Sequence, residues 1–118
     1  MEQRFKAWIV WLILNGKAEE ALMRLAAHYG VSVPMLEVGL PKGHRKKTLG
    51  CYSKRNKKIS VFDSNALLEP FIILHEFYHH LRAVGNERHK GTEKYADKFA
   101  KEFIEAYKSI PNVRDVEN

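Results

Sequence analysis

Apolar residues in the first quarter of the chain recur at helical spacing. A mostly apolar segment over residues 2–14 is followed by Asn15 and Gly16, a pair that commonly breaks helices. Residues 17–29 then place alanine and leucine side chains on one stripe and end before Gly30, which suits a helix C-terminus. This pattern predicts two N-terminal helices, and the first is apolar enough to be buried.

The middle of the chain changes to short runs of strand-favouring residues. The segment 34–41 begins and ends with proline, which predicts a short extended piece. Residues 48–53 and 57–63 are separated by a polar turn, as in a β-hairpin. We therefore expect a short antiparallel sheet whose edge is formed by residues 58–62.

Helical spacing returns in the last third of the chain. One apolar helix is predicted to begin between Asn65 and Pro70 and to run to about Val84. After a polar reversal, residues 92–109 again place aromatic and alanine side chains on one face, and Pro111 ends the pattern. Two helices, a small sheet and two more helices predict an α+β domain.

The chain length of 118 residues fits one domain, which we place at residues 1–110, with a tail at residues 111–118. Hydrophobic residues make up 45% of the chain and charged residues 29%, the composition of an ordinary globular protein. The single cysteine, Cys51, cannot form an internal disulfide, so we expect a reducing, cytoplasmic location and interpret Cys51 as a small packing residue.

The net charge of +6 comes largely from two basic stretches, at residues 42–47 and 54–58. Such stretches can bind phosphate backbones, but no nucleic-acid motif accompanies them, so we interpret them as solvated loop and hairpin tips. The apolar run at residues 7–14 is too short to cross a bilayer, which takes about 20 residues, and no signal-peptide cleavage site follows it. We therefore expect no membrane span and no specific nucleic-acid partner.

Histidines and a glutamate interrupt the apolar helix of the last third. His75, Glu76 and His79 form the pattern H-E-x-x-H. Positions four apart differ by only about 40° around a helix, so both histidines can bind one zinc ion. Glu76 beside them can act as a general base toward a bound water. His80 lies about 100° further round, so we expect it at the surface rather than at the metal.

A catalytic zinc site needs a third protein ligand and one open position. The metzincin continuation of the motif requires glycine at position 82 and histidine at position 85, but the chain has Arg82 and Gly85, which excludes that class. Glu93 lies in the first turn of the next helix, where it can fold back toward the histidines. Glu87 and His89, in the preceding loop, are the alternatives.

Asp97 is the remaining polar candidate. It lies one turn after Glu93 and therefore on the same face of that helix. From there it can accept a hydrogen bond from the outer nitrogen of a ligating histidine, for which we expect His75, and fix the tautomer of the ring. Without the upstream histidines, the same spacing would describe an ordinary exposed polar helix face.

Two blocks of residues carry a resemblance to a known family. The blocks "HEFYHH" and "EKYADKFA" resemble the H-E-x-x-H and E-x-x-A-(N/D)-x-F-A blocks of the gluzincin metallopeptidases. The chain is most similar to the small soluble minigluzincins, and more distantly to ImmA/IrrE-type proteins and to the catalytic domains of integral-membrane relatives. The resemblance implies a minimal, zincin-like metallopeptidase domain. It also implies the roles of five residues: His75, His79 and Glu93 as zinc ligands, Glu76 as base and acid, and Asp97 beside a ligand.

The residues and the resemblance together predict a zinc endopeptidase that acts on a peptide or protein substrate, as a monomer or a small homo-oligomer. A zinc-bound water, deprotonated toward Glu76, would attack a peptide carbonyl, and Glu76 would pass the proton to the leaving amine. Tyr78, Tyr95 and His89 are candidates for binding the oxyanion. The alternative is a basic nucleic-acid-associated module with a structural or vestigial zinc. Glu76 argues against it, because a structural site has no use for a free glutamate beside its ligands.

The tail after the last helix has two interpretations. Pro111 ends the helix and few apolar residues follow, as in a frayed terminus. A tail that leaves the helix of Glu93 near the active site could instead lie in the cleft and pair with residues 59–62. An oxygen atom could then occupy the open zinc position, from Asp115, Glu117 or Asn118. Because the minigluzincin resemblance implies latency through a C-terminal segment, we expect the full-length chain to be latent or weakly active.

Overall fold

Four α-helices and a three-stranded mixed sheet make up the computed structural model, which describes residues 2–42, 49–85, 93–111 and 113. In chain order the elements are α1 (Glu2–Leu14), α2 (Ala18–Tyr29), β1 (Met35–Val38), β2 (Gly50–Ser53), β3 (Lys58–Val61), α3 (Pro70–Val84) and α4 (Glu93–Ser109). A short 3-10 helix (Ser64–Leu68) precedes α3. The predicted α+β class is confirmed.

The two N-terminal helices lie where the apolar spacing predicts them. The prediction of a buried first helix is confirmed, because α1 buries five apolar residues: Ala7, Ile9, Val10, Leu12 and Ile13. α2 ends at Gly30, whose left-handed backbone (φ 69°, ψ 36°) directs its N–H toward the carbonyl groups of Ala26 and Ala27. Glycine suits this position because it adopts positive φ without steric cost.

The sheet differs from the predicted antiparallel one. β2 and β3 form the predicted antiparallel hairpin, but β1 pairs with β3 in parallel, with Leu36 opposite Ile59. The strand order is β1-β3-β2, so β3 is central and the prediction that it forms the edge is wrong. Burial explains the difference: Ile59, Ser60 and Val61 are all buried, so both faces of β3 are covered. In the described sheet, the outer strands are β1 and β2.

α4 packs against both α1 and α3 and so connects the N-terminal helix with the motif helix. Phe103 of α4 is fully buried, and the ammonium group of Lys6 from α1 lies 5.6 Å from the centre of its ring. Beyond α4, Val113 packs with Ala7 and Ala106 in a small second apolar cluster. The one residue of the tail beyond Pro111 that the structure describes is therefore packed rather than frayed.

Some predicted features fall outside the described residues. They are most of the first basic stretch, the loop candidates and the tail residues: 43–48, Glu87, His89, Asp115, Glu117 and Asn118. The second basic stretch is described, and its residues 54–57 form an exposed hairpin turn, as predicted. Within the described ranges, no helix is both long enough and apolar enough to span a bilayer.

Candidate metal centre

The residues of α3 divide between two faces. The helix begins at Pro70, which suits a first turn, and ends at Val84, as the sequence predicts. Its core face consists of fully buried apolar residues: Ile73, Leu74, Phe77 and Leu81. His75 and His79 lie one turn apart on the side that faces α4, and their ring centres are 5.0 Å apart.

Glu93, the first residue of α4, brings its carboxylate to both histidines. One oxygen is 2.7 Å from His75 Nε2, and the other is 3.1 Å from His79 Nε2. The two Nε2 atoms are 3.3 Å apart. Because the ligand atoms of all three side chains lie within 4.8 Å of one another, the three side chains could hold one metal ion together.

The hydrogen-bond partners of His75 are those expected of a histidine that binds a metal. Its Nδ1 lies 2.9 Å from Asp97 Oδ1, and its Nε2 lies 2.7 Å from Glu93 Oε1. A carboxylate oxygen only accepts, and a neutral imidazole has only one N–H to donate. When Nδ1–H donates to Asp97, the Nε2 lone pair faces the Glu93 carboxylate and the His79 ring. A cation between these atoms satisfies all of them, with Asp97 fixing the ring as outer partners of ligating histidines do.

Burial sets the protonation of the other two motif residues. Burial lowers the pKa of His79, against the opposing effect of the Glu93 carboxylate, and this favours the neutral ring that binds metals. Glu76 is 8% exposed, and burial raises the pKa of its carboxyl group from 4.5 to about 7. The Glu93 carboxylate raises this pKa further, whereas His75 lowers it when its ring is protonated. A carboxyl group with a pKa near 7 can both accept and donate a proton at neutral pH.

A cleft of about 390 Å³ opens beside the histidines. β2 contributes Gly50, Cys51 and Tyr52 to its lining, and α3 contributes Glu76 and His79. Cys51, which the sequence suggests is a packing residue, is half-buried and lines this cleft. β2 is an outer strand of the described sheet, so no other described strand pairs with the backbone groups on its outer side.

Gly50 allows β2 to lie close to α3. A Cβ atom at this position would lie 2.7 Å from Cγ2 of Ile72 and 3.5 Å from Cγ of Glu76. A separation of 2.7 Å between carbon atoms is too short, so any larger residue would displace either the strand or Ile72. The absence of a side chain here therefore keeps the strand wall close to the candidate general base.

His80 is hydrogen-bonded to β2, the strand that lines the cleft, and to a loop residue before β1. The prediction that it lies at the surface is wrong, because its side chain is fully buried. Its Nε2–H donates to the carbonyl oxygen of Ser32 over 2.8 Å, and the hydroxyl of Tyr52 lies 2.7 Å from its Nδ1. Burial lowers the pKa of His80, so Nδ1 is unprotonated and accepts a hydrogen bond from the Tyr52 hydroxyl. These bonds tie β2 to α3, a link that sequence reasoning missed.

His28 and Tyr78 pack against other aromatic rings, and the ring centre of Tyr78 is 6.4 Å from that of His79. His28 stacks on Phe5 with ring centres 4.3 Å apart, and it does not belong to the metal-binding cluster found among the described residues. Tyr78 is buried, with its ring centre 5.4 Å from that of Phe99. Neither Tyr78 nor Tyr95 is among the described residues that line the cleft, so this geometry does not favour either as the oxyanion-binding residue.

No protein-family model, curated protein or solved structure matches this chain significantly. The gluzincin resemblance therefore rests on the sequence motifs alone. The structure brings the candidate site residues together where α3 meets the start of α4: His75, Glu76, His79, Glu93 and Asp97.

Proposed function

We propose that this chain is a zinc-dependent endopeptidase of the gluzincin type. The observation that carries the proposal is the convergence of His75 Nε2, His79 Nε2 and the Glu93 carboxylate, with Glu76 beside them in the cleft. Two imidazoles and one carboxylate are a donor set typical of a catalytic zinc site, whereas structural sites are closed by four protein ligands. The contact of Asp97 with His75 Nδ1 adds support, because it orients the ring for metal binding.

Zinc bound by these residues would activate a water molecule and polarise a peptide carbonyl. Glu76 is placed to accept the proton of the attacking water, because it lines the cleft together with His79. The same carboxyl group would then donate that proton to the nitrogen of the departing amine, and its burial, which raises its pKa, favours the protonated form from which it donates. Cleavage would yield one new carboxyl group and one new amino group.

An extended peptide would bind along β2 in this proposal. β2 thus takes the role that the sequence suggests for residues 58–62, because it is the outer strand beside Glu76. The backbone N–H and C=O groups of an edge strand can pair with an added strand of any sequence. Side chains around the cleft would then decide which peptides bind best.

Metal analysis combined with a peptide-cleavage assay tests the proposal. Protein stripped with a chelator and reloaded should bind about one zinc per chain and cleave a mixture of unstructured peptides, weakly at full length and faster when the chain ends at Val113, with the new termini identified by mass spectrometry. Glu76→Gln should keep the zinc and lose cleavage, whereas His79→Ala should lose both. Glu105→Gln, at an exposed position of α4, is the control and should behave like the wild type. Cleavage by Glu76→Gln at the wild-type rate, or unchanged zinc binding in His79→Ala, would contradict the proposal.

The nucleic-acid alternative has weaker support. Lys58 of the second basic stretch is paired with Glu37 over 2.6 Å, and residues 43–48 lie outside the described ranges. Binding of DNA or RNA should be weak and should fall steeply with salt, because it would rest on phosphate contacts. A filter-binding titration over a range of salt concentrations measures this, and tight, sequence-selective binding at physiological salt would favour the alternative.

Latency of the full-length chain is a further part of the proposal, supported by the minigluzincin resemblance. The tail residues that would bind the zinc lie outside the described residues, so their contact stays a prediction. The expectation that the tail leaves α4 near the active site is wrong. Val113 packs beside Ala106, toward the end of α4 opposite Glu93. The two ends of α4 are about 24 Å apart at about 1.5 Å per residue, so the tail does not leave this helix near the site.

A further inference from the structure

One end of the cleft carries two cationic side chains. Lys54 follows β2 at the start of the hairpin turn, and Arg82 lies about one turn beyond His79 on α3. Both line the same cleft as Glu76 and His79, and both are exposed. A peptide bound at the metal centre would therefore extend past these two cations in one direction.

β2 and α3 run in the same general direction along the cleft. The glycine that begins β2 lies beside Glu76, whereas Tyr52, two residues later, reaches His80 further along the helix. Lys54 is two residues beyond Tyr52, so it lies toward the C-terminal end of α3, as Arg82 does. The two cations therefore belong to one end of the cleft rather than to opposite ends.

Among the described residues, carboxylates do not compensate the charges of these two side chains. In the described part of the chain, neither Lys54 nor Arg82 has a carboxylate within ion-pair distance. Among the described lining residues, the acidic ones are Glu76 and Glu93, and both belong to the metal centre. A divalent cation bound there would add further positive charge. This end of the cleft therefore attracts an anionic group.

The hairpin and the helix hold both cations on ordered backbone. Ser53, the residue before Lys54, is opposite Lys58 in the β2–β3 pair. Its hydroxyl accepts a hydrogen bond from the N–H of Asn56 over 3.2 Å, which closes the turn. Arg82 extends from α3, whose other face is buried in the core. Fixed backbones place the two charges at a definite distance from the metal centre.

We propose that Lys54 and Arg82 form a subsite for a carboxylate side chain, so that the preferred substrates are peptides with an aspartate or glutamate on the hairpin side of the cleaved bond. This inference rests on the proposed peptidase function and specifies its substrate class. Arg82 lies about 7.5 Å along the helix axis from the midpoint between His75 and His79. An extended peptide rises about 3.3 Å per residue, so the acidic residue would be about two positions from the cleaved bond.

Peptide binding, measured separately from cleavage, tests this subsite. The zinc-loaded Glu76→Gln variant, both at full length and ending at Val113 so that the tail cannot block the cleft, is titrated with fluorescein-labelled decapeptides of neutral sequence that carry one glutamate, which is moved through the central positions. Matched peptides carry glutamine at the same positions. We expect the best glutamate peptide to bind about 5- to 10-fold more tightly than its glutamine partner, with a smaller difference at about 0.5 M salt.

Reversing the charges of Lys54 and Arg82 then tests whether these two side chains cause the preference for glutamate. In the same Glu76→Gln background, Lys54→Glu with Arg82→Glu should abolish or invert the preference for glutamate. Arg4→Glu with Lys108→Glu makes the same charge change at exposed positions of α1 and α4 and should preserve it. Equal binding of the two peptides, binding of neither, or an unchanged preference after the cleft reversal would overturn the proposal. Tighter binding of a single-stranded oligonucleotide than of the glutamate peptide, lost in the same reversal, would also overturn it.

Cleavage by the wild-type protein reports on the peptidase function independently of this binding assay. A glutamate preference in binding without cleavage of any peptide would refute the peptidase proposal and support the carboxylate subsite. Cleavage of glutamate and glutamine peptides with equal affinity and equal rate would support the peptidase and overturn the subsite.

Discussion

Replacing Glu76 by glutamine should stabilise the metal-free protein at alkaline pH and change little at acidic pH. The carboxyl group is 8% exposed, and its burial raises its pKa from 4.5 to about 7 in the folded protein. Between these two values, the folded protein keeps a proton that the unfolded chain has released. The free energy of unfolding of the wild type therefore falls as pH rises through this window.

The size of the Glu76 effect follows from the two pKa values. The rise from 4.5 to about 7 corresponds to about 3.5 kcal/mol, at about 1.4 kcal/mol for each pH unit. Glutamine has a similar shape and no charge, so the free energy of unfolding of the variant does not fall in this way as pH rises. The stability difference between variant and wild type should grow by about 2.5 kcal/mol between about pH 5 and about pH 8. This is a large change for a domain with a total stability of about 5–15 kcal/mol.

Urea unfolding followed by circular dichroism, with EDTA present throughout, measures the difference at each pH. Glu105→Gln is the matched control, because it removes an exposed carboxylate from α4, and its effect should stay within about 0.5 kcal/mol at every pH. Stability curves of the wild type and of Glu76→Gln that stay parallel would refute the reasoning. A difference that shrinks as pH rises would refute it as well.

Three further predictions concern the metal and the tail. Glu93→Ala should lose zinc readily in a chelator competition, and unchanged retention together with loss in His89→Ala would show that the ligand assignment is wrong. Asp97→Ala should keep the fold and reduce zinc affinity by about 10- to 100-fold, because His75 loses the acceptor for its Nδ1–H; wild-type affinity in the same titration would exclude this role. A chain that ends at Val113 keeps the second apolar cluster and should cleave peptides faster than the full-length chain. Equal rates from folded, zinc-loaded proteins would end the latency hypothesis.

The helices and their contribution to the site could be predicted because the signals are local. The stripe of alanine and leucine in α2, the glycine that ends it and the proline that begins α3 each act within a few residues of their position. The spacing of His75 and His79 works in the same way, since helix geometry brings positions four apart to one face in any fold. Asp97 could be placed beside His75 only because helix geometry aligns it with Glu93.

The sheet order and the burial of His80 could not be predicted in this way, because both depend on contacts between distant segments. Strand-favouring residues identify strands but do not say which strands are neighbours. Ile59, Ser60 and Val61 even alternate between apolar and polar, which is typical of a strand with one exposed face, yet all three are buried. The partners of His80 are 28 and 48 residues away, at Tyr52 and Ser32, and no local pattern reports them.

The packing of α4 against both α1 and α3 has a consequence for how the protein is made. Synthesis proceeds from the N-terminus, so every other described helix and strand emerges before α4. A nascent chain without α4 lacks the cover for the apolar face of α1 and, of the three clustered side chains, offers a metal only His75 and His79. Docking of α4 completes the core and the donor set in one step. Only the folded protein would therefore bind the metal tightly, and a nascent chain would lack peptidase activity until it has folded.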